Sequence, residues 1–280
     1  MSKVQVIHTA EELQQFRQKL NENAHSLGFV PTMGALHNGH VSLIKKATEE
    51  NDYTLISIFV NPKQFNNSED LKQYPRTLSA DLTLLEGLNN CVVFAPDEAE
   101  LYPQNDGFVP MELGSIGNVL EGAFRPGHFE GVVHVVHNLF RLVAANKAYF
   151  GQKDFQQLAI IRLLTRFYGF KTTIIACPTV REKSGLAMSS RNMRLSEKEL
   201  EDALIIIETL RLVESAKNKH TINETLAAAK NSFNAGNLSL EYLAIVDPET
   251  LCELKDWQEN QICCIAAHCG SVRLIDNLLF

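Results

Sequence analysis

No apolar run in this chain of 280 residues approaches the roughly 20 residues that a membrane-spanning helix needs, so no membrane partner is expected. A block of basic residues is missing too. The 26 Lys and Arg are outnumbered by 33 Asp and Glu, and a formal net charge of −7 argues against a nucleic-acid partner. The opening Met-Ser-Lys-Val-Gln-Val-Ile-His lacks the apolar core of a signal peptide, so a cytoplasmic location is expected. Internal repeats and low-complexity tracts are absent. The six cysteines, at 91, 177, 252, 263, 264 and 269, include no CxxC pair. In a reducing compartment they are expected as free thiols. The stretch 261–270 reads as a strand, which turns Cys263 and Cys264 to opposite faces, so small apolar packing is preferred to a metal site with His268.

What is present is an ordinary globular composition, 45% hydrophobic, in a chain long enough for two domains. Strands are expected at 4–7, 27–30, 53–60, 91–95, 148–150 and 172–176. Helices fall between them: one after the capping box Thr9-Ala-Glu-Glu12, others at 39–50, 80–88 and 155–168, and one carrying Val132, Val135, Val136, Leu139, Phe140 and Val143 on one face. The polar stretch 61–74 reads as a loop. This alternation implies an α/β fold with a Rossmann-like, doubly wound, mostly parallel sheet. Beyond residue 177 the pattern changes. Helices at 197–217 and 222–235 precede strands at 240–246, 261–268 and 272–275 with no helices between those strands. The expected division is a larger domain over 1–177 and a smaller carboxyl-terminal α+β domain over 178–280.

Two stretches carry the chemistry. Met33-Gly34-Ala35-Leu36-His37-Asn38-Gly39-His40 lies between a strand and a helix. A helix N-terminus offers unpaired N–H groups and a partial positive charge to an anion. Gly39 lets backbone approach a phosphate. His37 and His40, three residues apart as the helix begins, can both face one ligand and stabilise charge as pyrophosphate departs. Downstream, Met188-Ser189-Ser190-Arg191-Asn192 supplies two hydroxyls and a guanidinium suited to phosphates, in a loop expected at the domain junction. Together they point to the α-phosphate of ATP.

Three further segments add to this. In Gly151-Gln152-Lys153-Asp154, Lys153 is a mobile cation suited to a phosphoryl oxygen. Asp154 either caps the next helix or also holds a ribose hydroxyl or orients Lys153. Gln157 follows Lys153 by one helical turn and can face the same pocket. Gln64, in Asn61-Pro62-Lys63-Gln64-Phe65, carries an amide able to bind a hydroxyl and a carboxylate together, or is a plain surface residue. In 120–131, Arg125 binds an anion or pairs with Glu121 or Asp97, and His128 reads as structural. An HxGH loop alone would also suit a simple nucleotidylyltransferase, which leaves AMP on its product, or a non-catalytic nucleotide-binding regulator. The joint presence of both histidines, Lys153 and the serine loop favours a catalyst.

Taken together, PTMGALHNGH, SIFVNPKQF, YPRT, LEGAFRPGHFEGV, YFGQKDFQQL, MSSRN and RLIDN resemble the pantoate–β-alanine ligase family, within the wider HxGH nucleotidyltransferase-like group. The resemblance implies an ATP-dependent ligase that condenses (R)-pantoate with β-alanine through a pantoyl adenylate, releasing AMP and pyrophosphate. It further implies Mg²⁺ on the phosphates, a homodimer built through the nucleotide-binding domain, and a lid role for the smaller domain. By position, His40, His37 and Lys153 match the catalytic set. Met33, Gly34, Ala35, Leu36, Gly39, Gly151, Gln152, Asp154, Val180, Met188, Ser189, Ser190 and Arg191 match ATP-binding positions. Gln64 and Gln157 match the pair that grips pantoate, with Val132, Val135 and Val136 as its apolar wall. Asp81 matches a position near Mg²⁺, or is simply an acid on a helix surface. The chain departs from the family pattern at Gln152, where Glu is usual, at His134 and Asn138, which replace Thr or Ser and Lys, and at Ala145-Asn146, which replaces Pro-Asp.

Overall fold

Strands buried on both faces read as near-continuous apolar runs, and such strands belong to parallel sheets covered by helices. The computed structural model describes Val4–Phe280; Met1–Lys3, part of the amino-terminal stretch inspected for targeting, lie outside the described residues. In chain order the elements are β1 (Gln5–Ile7), α1 (Ala10–Glu22), β2 (Leu27–Thr32), α2 (Asn38–Glu50), β3 (Tyr53–Ile58), α3 (Ser68–Gln73), α4 (Leu78–Leu85), β4 (Cys91–Phe94), α5 (Glu98–Leu101), α6 (Glu121–Phe124), α7 (His128–Val143), β5 (Lys147–Gly151), α8 (Phe155–Phe167) and β6 (Thr173–Cys177). They continue as α9 (Glu197–Asp202), α10 (Ile205–Ala216), α11 (Ile222–Phe233), β7 (Ser239–Val246), β8 (Ile262–Cys269) and β9 (Val272–Leu279).

The chain divides into two units. The first takes the described residues up to Leu113, Arg125–Gln152 and Gln157–Pro178; the second takes Gly114–Phe124, Lys153–Gln156 and Thr179–Phe280. In the first, six strands form one sheet in the order β1-β4-β3-β2-β5-β6, every neighbouring pair parallel. The chain winds outward from β2 through β3 and β4, then returns to the other side of β2 as β5 and β6. The winding therefore reverses between β2 and β5. In open parallel sheets ligands bind at that reversal, beyond the strands' carboxyl ends. The HxGH loop leaves β2 there, and Gly151 ends β5 there. Val30, Ile56, Val93 and Tyr149 pack with Leu43, Ile44 and Ala47 of α2 and fix that helix against the sheet.

The second unit holds the antiparallel sheet β7-β8-β9. α10 and α11 cover one face through Ile206, Leu210, Val213, Ala229 and Phe233. Cys263 and Cys264 sit side by side on β8, both buried, and burial pushes both thiols well above their ordinary value. Arg273 of β9 pairs with Glu121 of α6 (Nη1 to Oε2 2.6 Å) and with Glu241 of β7, while the Tyr242 hydroxyl donates to Glu121 (2.7 Å). Burial alone would lower the Arg273 guanidinium, but those carboxylates hold it above its usual range.

The last strand, expected over 272–275, runs on to Leu279, and two expected elements differ in kind or number. The stretch read as loop over 61–74 contains a 3-10 turn, Pro62–Gln64, and the helix α3, started by side-chain caps from Asn61 and Asn67. No residue of α3 is buried, so it carries no apolar stripe for a periodicity search to find. The helix expected over 197–217 is two, α9 and α10. They part where the Leu204 N–H bonds to Glu201 O (3.1 Å), a tighter turn that needs neither Gly nor Pro.

Candidate active site

The HxGH loop is held from inside. Thr32, the last residue of β2, donates its hydroxyl to Ser57 O (2.7 Å) and accepts from Gly34 N (3.1 Å). Gly34 has φ +79°, and a Cβ there would stand 3.0 Å from Ile58 Cγ2 and 3.1 Å from Asp81 Oδ2. Ala35 follows at φ +49°, a left-handed conformation that costs an L-residue about 1 kcal/mol or more. Asp81 holds it there. Its Oδ2 accepts from Ala35 N (3.1 Å), and its Oδ1 accepts from Leu36 N (2.8 Å) and from the Thr77 hydroxyl (3.2 Å).

Asp81 is 1% exposed. It is therefore not an acid on a helix surface, and three donors already meet its two oxygens. Among the described residues, no group of three His, Cys, Asp or Glu side chains is placed to hold a metal. The place of Asp81 is beneath the loop, as its internal anchor.

At the head of α2 the two imidazoles lie 4.1 Å apart between ring centres, tilted by 37°. His37 is the N-cap. Its Nδ1 accepts from Gly39 N (3.1 Å), and the His37 N–H donates in turn to His40 Nδ1 (3.3 Å), so the pair forms a capping box made of histidines. An imidazole whose Nδ1 accepts carries its proton on Nε2. Both rings thus present an Nε2–H donor from one helix N-terminus, where the dipole already favours negative charge.

Gln64 is 9% exposed, which sets aside its surface reading. Its Oε1 accepts from Asn61 Nδ2 (3.0 Å), and its Nε2 lies 3.1 Å from Met33 Sδ. The Asn61 amide also donates to Gly131 O (3.1 Å), and its Oδ1 accepts from the Tyr102 hydroxyl (2.7 Å). Behind the turn, His128 Nδ1 donates to Gln64 O (2.7 Å), and Arg125 Nη1 meets His128 Nε2 (3.0 Å). Gly131 is required: a Cβ there would fall 2.2 Å from Lys63 O. Val132, Val135 and Val136 are buried on α7, and Gln157 is half-buried on α8. Asn61 and Tyr102 were not singled out in the sequence. The signal for Asn61 was its place just before Pro62, where Asn caps a turn; Tyr102 had none.

In the second unit, Val180 to Met188 closes a hairpin: Met188 N donates to Val180 O (3.0 Å), and Arg181 bridges Ala187. Arg181 donates to Asp276 (2.6 Å), and the Asn277 amide donates to Lys153 O (2.8 Å), so the RLIDN stretch orders both the hairpin and the lysine segment. Ser189 caps the 3-10 turn Ser190–Arg194 by accepting from Arg191 N (3.2 Å). Ser190 is buried, and Arg191 and Lys153 are half-buried. Asp154 is exposed and closes the short 3-10 turn Gln152–Asp154.

A doubly wound sheet whose reversal point carries an HxGH capping box defines a nucleotide-handling α/β enzyme of the HxGH type. The sequence model of the pantoate–β-alanine ligase family matches residues 5–279, and this chain belongs to that family. It is 47% identical over 284 residues to a pantothenate synthetase of Bacteroides thetaiotaomicron, covering 99% of each chain. It is also 47% identical over 275 residues to that of Cytophaga hutchinsonii, covering 95% of this chain and 97% of that one. The crystal structure of pantothenate synthetase from Thermus thermophilus aligns with a TM-score of 0.91 at 40% identity, over 98% of this chain and 99% of that one. The Francisella tularensis pantoate–β-alanine ligase, complexed with β-γ ATP and β-alanine, aligns at 0.82 and 38% identity, over 99% and 97%.

Proposed function

We propose that this chain joins (R)-pantoate to β-alanine in two steps. The pantoate carboxylate attacks the α-phosphorus of ATP; the bond to the bridging oxygen breaks, and pyrophosphate leaves. The amine of β-alanine then attacks the acyl carbon of the adenylate, AMP departs, and the amine's proton is released. A carboxylate is a poor acyl donor, and adenylation supplies its leaving group. The first step needs in-line positioning and neutralisation of charge more than a protein nucleophile.

The Nε2–H groups of His37 and His40 suit the phosphoryl oxygens, where they stabilise charge as pyrophosphate leaves. Lys153, Ser189, Ser190 and Arg191 suit the phosphates as cation and hydrogen-bond donors, and Met33, Gly34, Ala35, Leu36, Gly39, Gly151, Gln152, Asp154, Val180 and Met188 the rest of the nucleotide. Gln64 and Gln157 take the hydroxyls and carboxylate of pantoate, and Val132, Val135 and Val136 its methyl groups. ATP is taken as its Mg²⁺ complex, the ion riding on the phosphates; Asp81 contributes by shaping the loop. The family resemblance also supports a homodimer, checked by light scattering, and a cytoplasmic location. Among the described residues no helix is long and apolar enough to cross a membrane.

The observation that carries this function is a family match over residues 5–279 whose signature loop folds into the paired imidazole donors. The test is exchange of labelled pyrophosphate into ATP. Exchange should require pantoate, and free AMP should appear when β-alanine is added. A nucleotidylyltransferase would keep AMP on its product whatever amine is present, and a binding regulator would show neither signal.

A further inference from the structure

Behind the pantoate glutamine lies a second cluster that the reaction does not use. His134, on α7, places Nε2 2.6 Å from Asp106 Oδ2 and Nδ1 3.4 Å from Lys63 Nζ. The Asn138 amide, one turn further along α7, also donates to Asp106 Oδ2 (3.0 Å) and anchors to Leu101 O (2.7 Å). The Phe108 ring stacks on the His134 ring at 4.0 Å and 9°, and the Tyr102 ring meets it edge-on at 4.7 Å. Lys63 Nζ lies 3.6 Å from the centre of the Tyr102 ring. The Tyr102 hydroxyl reaches Asn61, whose amide holds Gln64 Oε1. A continuous path of contacts thus runs from Asp106 through His134, Lys63, Tyr102 and Asn61 to Gln64.

The partners set the state of His134. Asp106 only accepts, so Nε2 carries a proton; Lys63 only donates, so Nδ1 carries none. The ring is therefore neutral in this arrangement, and a second proton would put a cation against the Lys63 ammonium and remove its acceptor. We propose that His134 is a positioning residue for pantoate: its neutral form seats Lys63 and, through Tyr102 and Asn61, holds the Gln64 amide ready, and its protonation loosens that amide. This rests on the assignment of Gln64 to pantoate.

The groups facing His134 are Lys63 from the 3-10 turn, Asp106 and Phe108 from the segment after α5, Tyr102 at the end of α5, and His137 and Asn138 from α7, with Glu98 beyond Tyr102. Burial lowers the His134 imidazole below its ordinary range, and Lys63 and His137 add to that against the pull of Asp106. Burial by itself would raise Asp106, but the bonds from His134, Asn138 and the Phe108 N–H hold it well below the carboxylate range, so it stays ionised. Burial raises Tyr102, which keeps its hydroxyl a donor throughout.

The sign follows. A group whose value is depressed in the folded state keeps its neutral arrangement at higher pH and loses it as pH falls. The window lies below the ordinary histidine value of about 6.5. The Lys63 side chain is exposed, so solvent screens the repulsion and the effect is modest, about threefold on affinity.

The test measures equilibrium binding of pantoate, and KM against kcat, at pH 7.5 and 5.5 for the native chain, His134→Gln and Lys63→Met. The pyrophosphate exchange of each is measured in parallel. Native affinity for pantoate should weaken about threefold more on acidification than that of His134→Gln, which has no proton to gain, with kcat ratios alike. Lys63→Met, which removes the opposing charge, should flatten the same dependence and serves alone if His134→Gln does not fold. A His134 imidazole resonance, assigned by its loss in His134→Gln, should titrate below the ordinary histidine range. Parallel pH dependences in the three proteins, or a change confined to kcat, would overturn the inference while exchange still upheld the ligase function. Absence of pantoate binding and exchange at both pH values would instead overturn the function, and the inference with it.

Discussion

Replacing His40 separates the two things that its ring does. Nδ1 accepts the N–H of His37 at 3.3 Å, a capping contact, while Nε2–H is the donor assigned to the departing pyrophosphate. Loss of a preorganised donor of this kind costs about 10²- to 10³-fold in rate, about 2.7–4 kcal/mol. Loss of a cap costs about 1 kcal/mol of stability, a fall in Tm of about 2–4 °C for a domain of this size. His40→Ala loses both. His40→Asn keeps an acceptor near the position of Nδ1 and loses the outer donor; His40→Gln, the usual capping-box residue at this position, keeps an acceptor for the His37 N–H and an amide donor further out. The assay is pantoate-dependent exchange of labelled pyrophosphate into ATP, with melting curves on the same samples. His40→Ala and His40→Asn should both lose at least ~10²-fold in exchange, His40→Gln should retain most of it, and only His40→Ala should melt lower. Native exchange in His40→Asn beside slow exchange in His40→Ala would refute the donor role and leave His40 as a cap.

Three further outcomes are expected. Asp81→Asn places an N–H against backbone donors in a buried site, so it should destabilise by about 1–3 kcal/mol and slow exchange, with the Mg²⁺ concentration for half-maximal rate unchanged; a tenfold shift in that concentration would restore Asp81 as a metal ligand. Gln64→Ala should lower kcat/KM for pantoate by about 10-fold or more, the scale of a hydrogen bond to a charged group, with KM for β-alanine little changed; an unaltered value for pantoate would remove Gln64 from the site. Arg273→Met leaves the buried Glu121 beside the half-buried Glu241 without their cation and should cost about 3–5 kcal/mol in chemical denaturation, whereas a cost below about 1 kcal/mol would mean that the triad carries little weight.

The parallel sheet was legible because its strands are apolar runs and because helices with clear stripes, such as α7, separate them. The HxGH loop was legible because its geometry is local: His37, Gly39 and His40 cap one another within three residues. The rest depends on distance along the chain. Asp81 meets Leu36 across 45 residues, and nothing in the surroundings of Asp81 marks it as the partner of a loop so far upstream. Its burial follows from α4 lying beneath that loop, a tertiary fact that left the metal and surface readings both open. Asp106 meets His134 across 28 residues in the same way. The polar helix α3 escaped because periodicity detects apolar faces and α3 has none.

This division bears on how the chemistry tolerates change. The imidazole donors proposed for the phosphates are held by contacts within one helical turn and keep their mutual geometry as long as that turn forms, although the loop leading into it also leans on Asp81. Gln64 has no such independence. Its amide depends on Asn61, its carbonyl on His128, and the seat of its turn on Gly131, 67 residues downstream in the sequence. On the proposed assignment of Gln64 to pantoate, a substitution in α7 therefore alters recognition of the acid and leaves the adenylation machinery standing. The converse requires breaking the loop itself, at Gly34, Ala35 or the Asp81 anchor. Variation confined to α7 should accordingly move KM for pantoate before it moves kcat, and the departures at His134 and Asn138 fall on that helix.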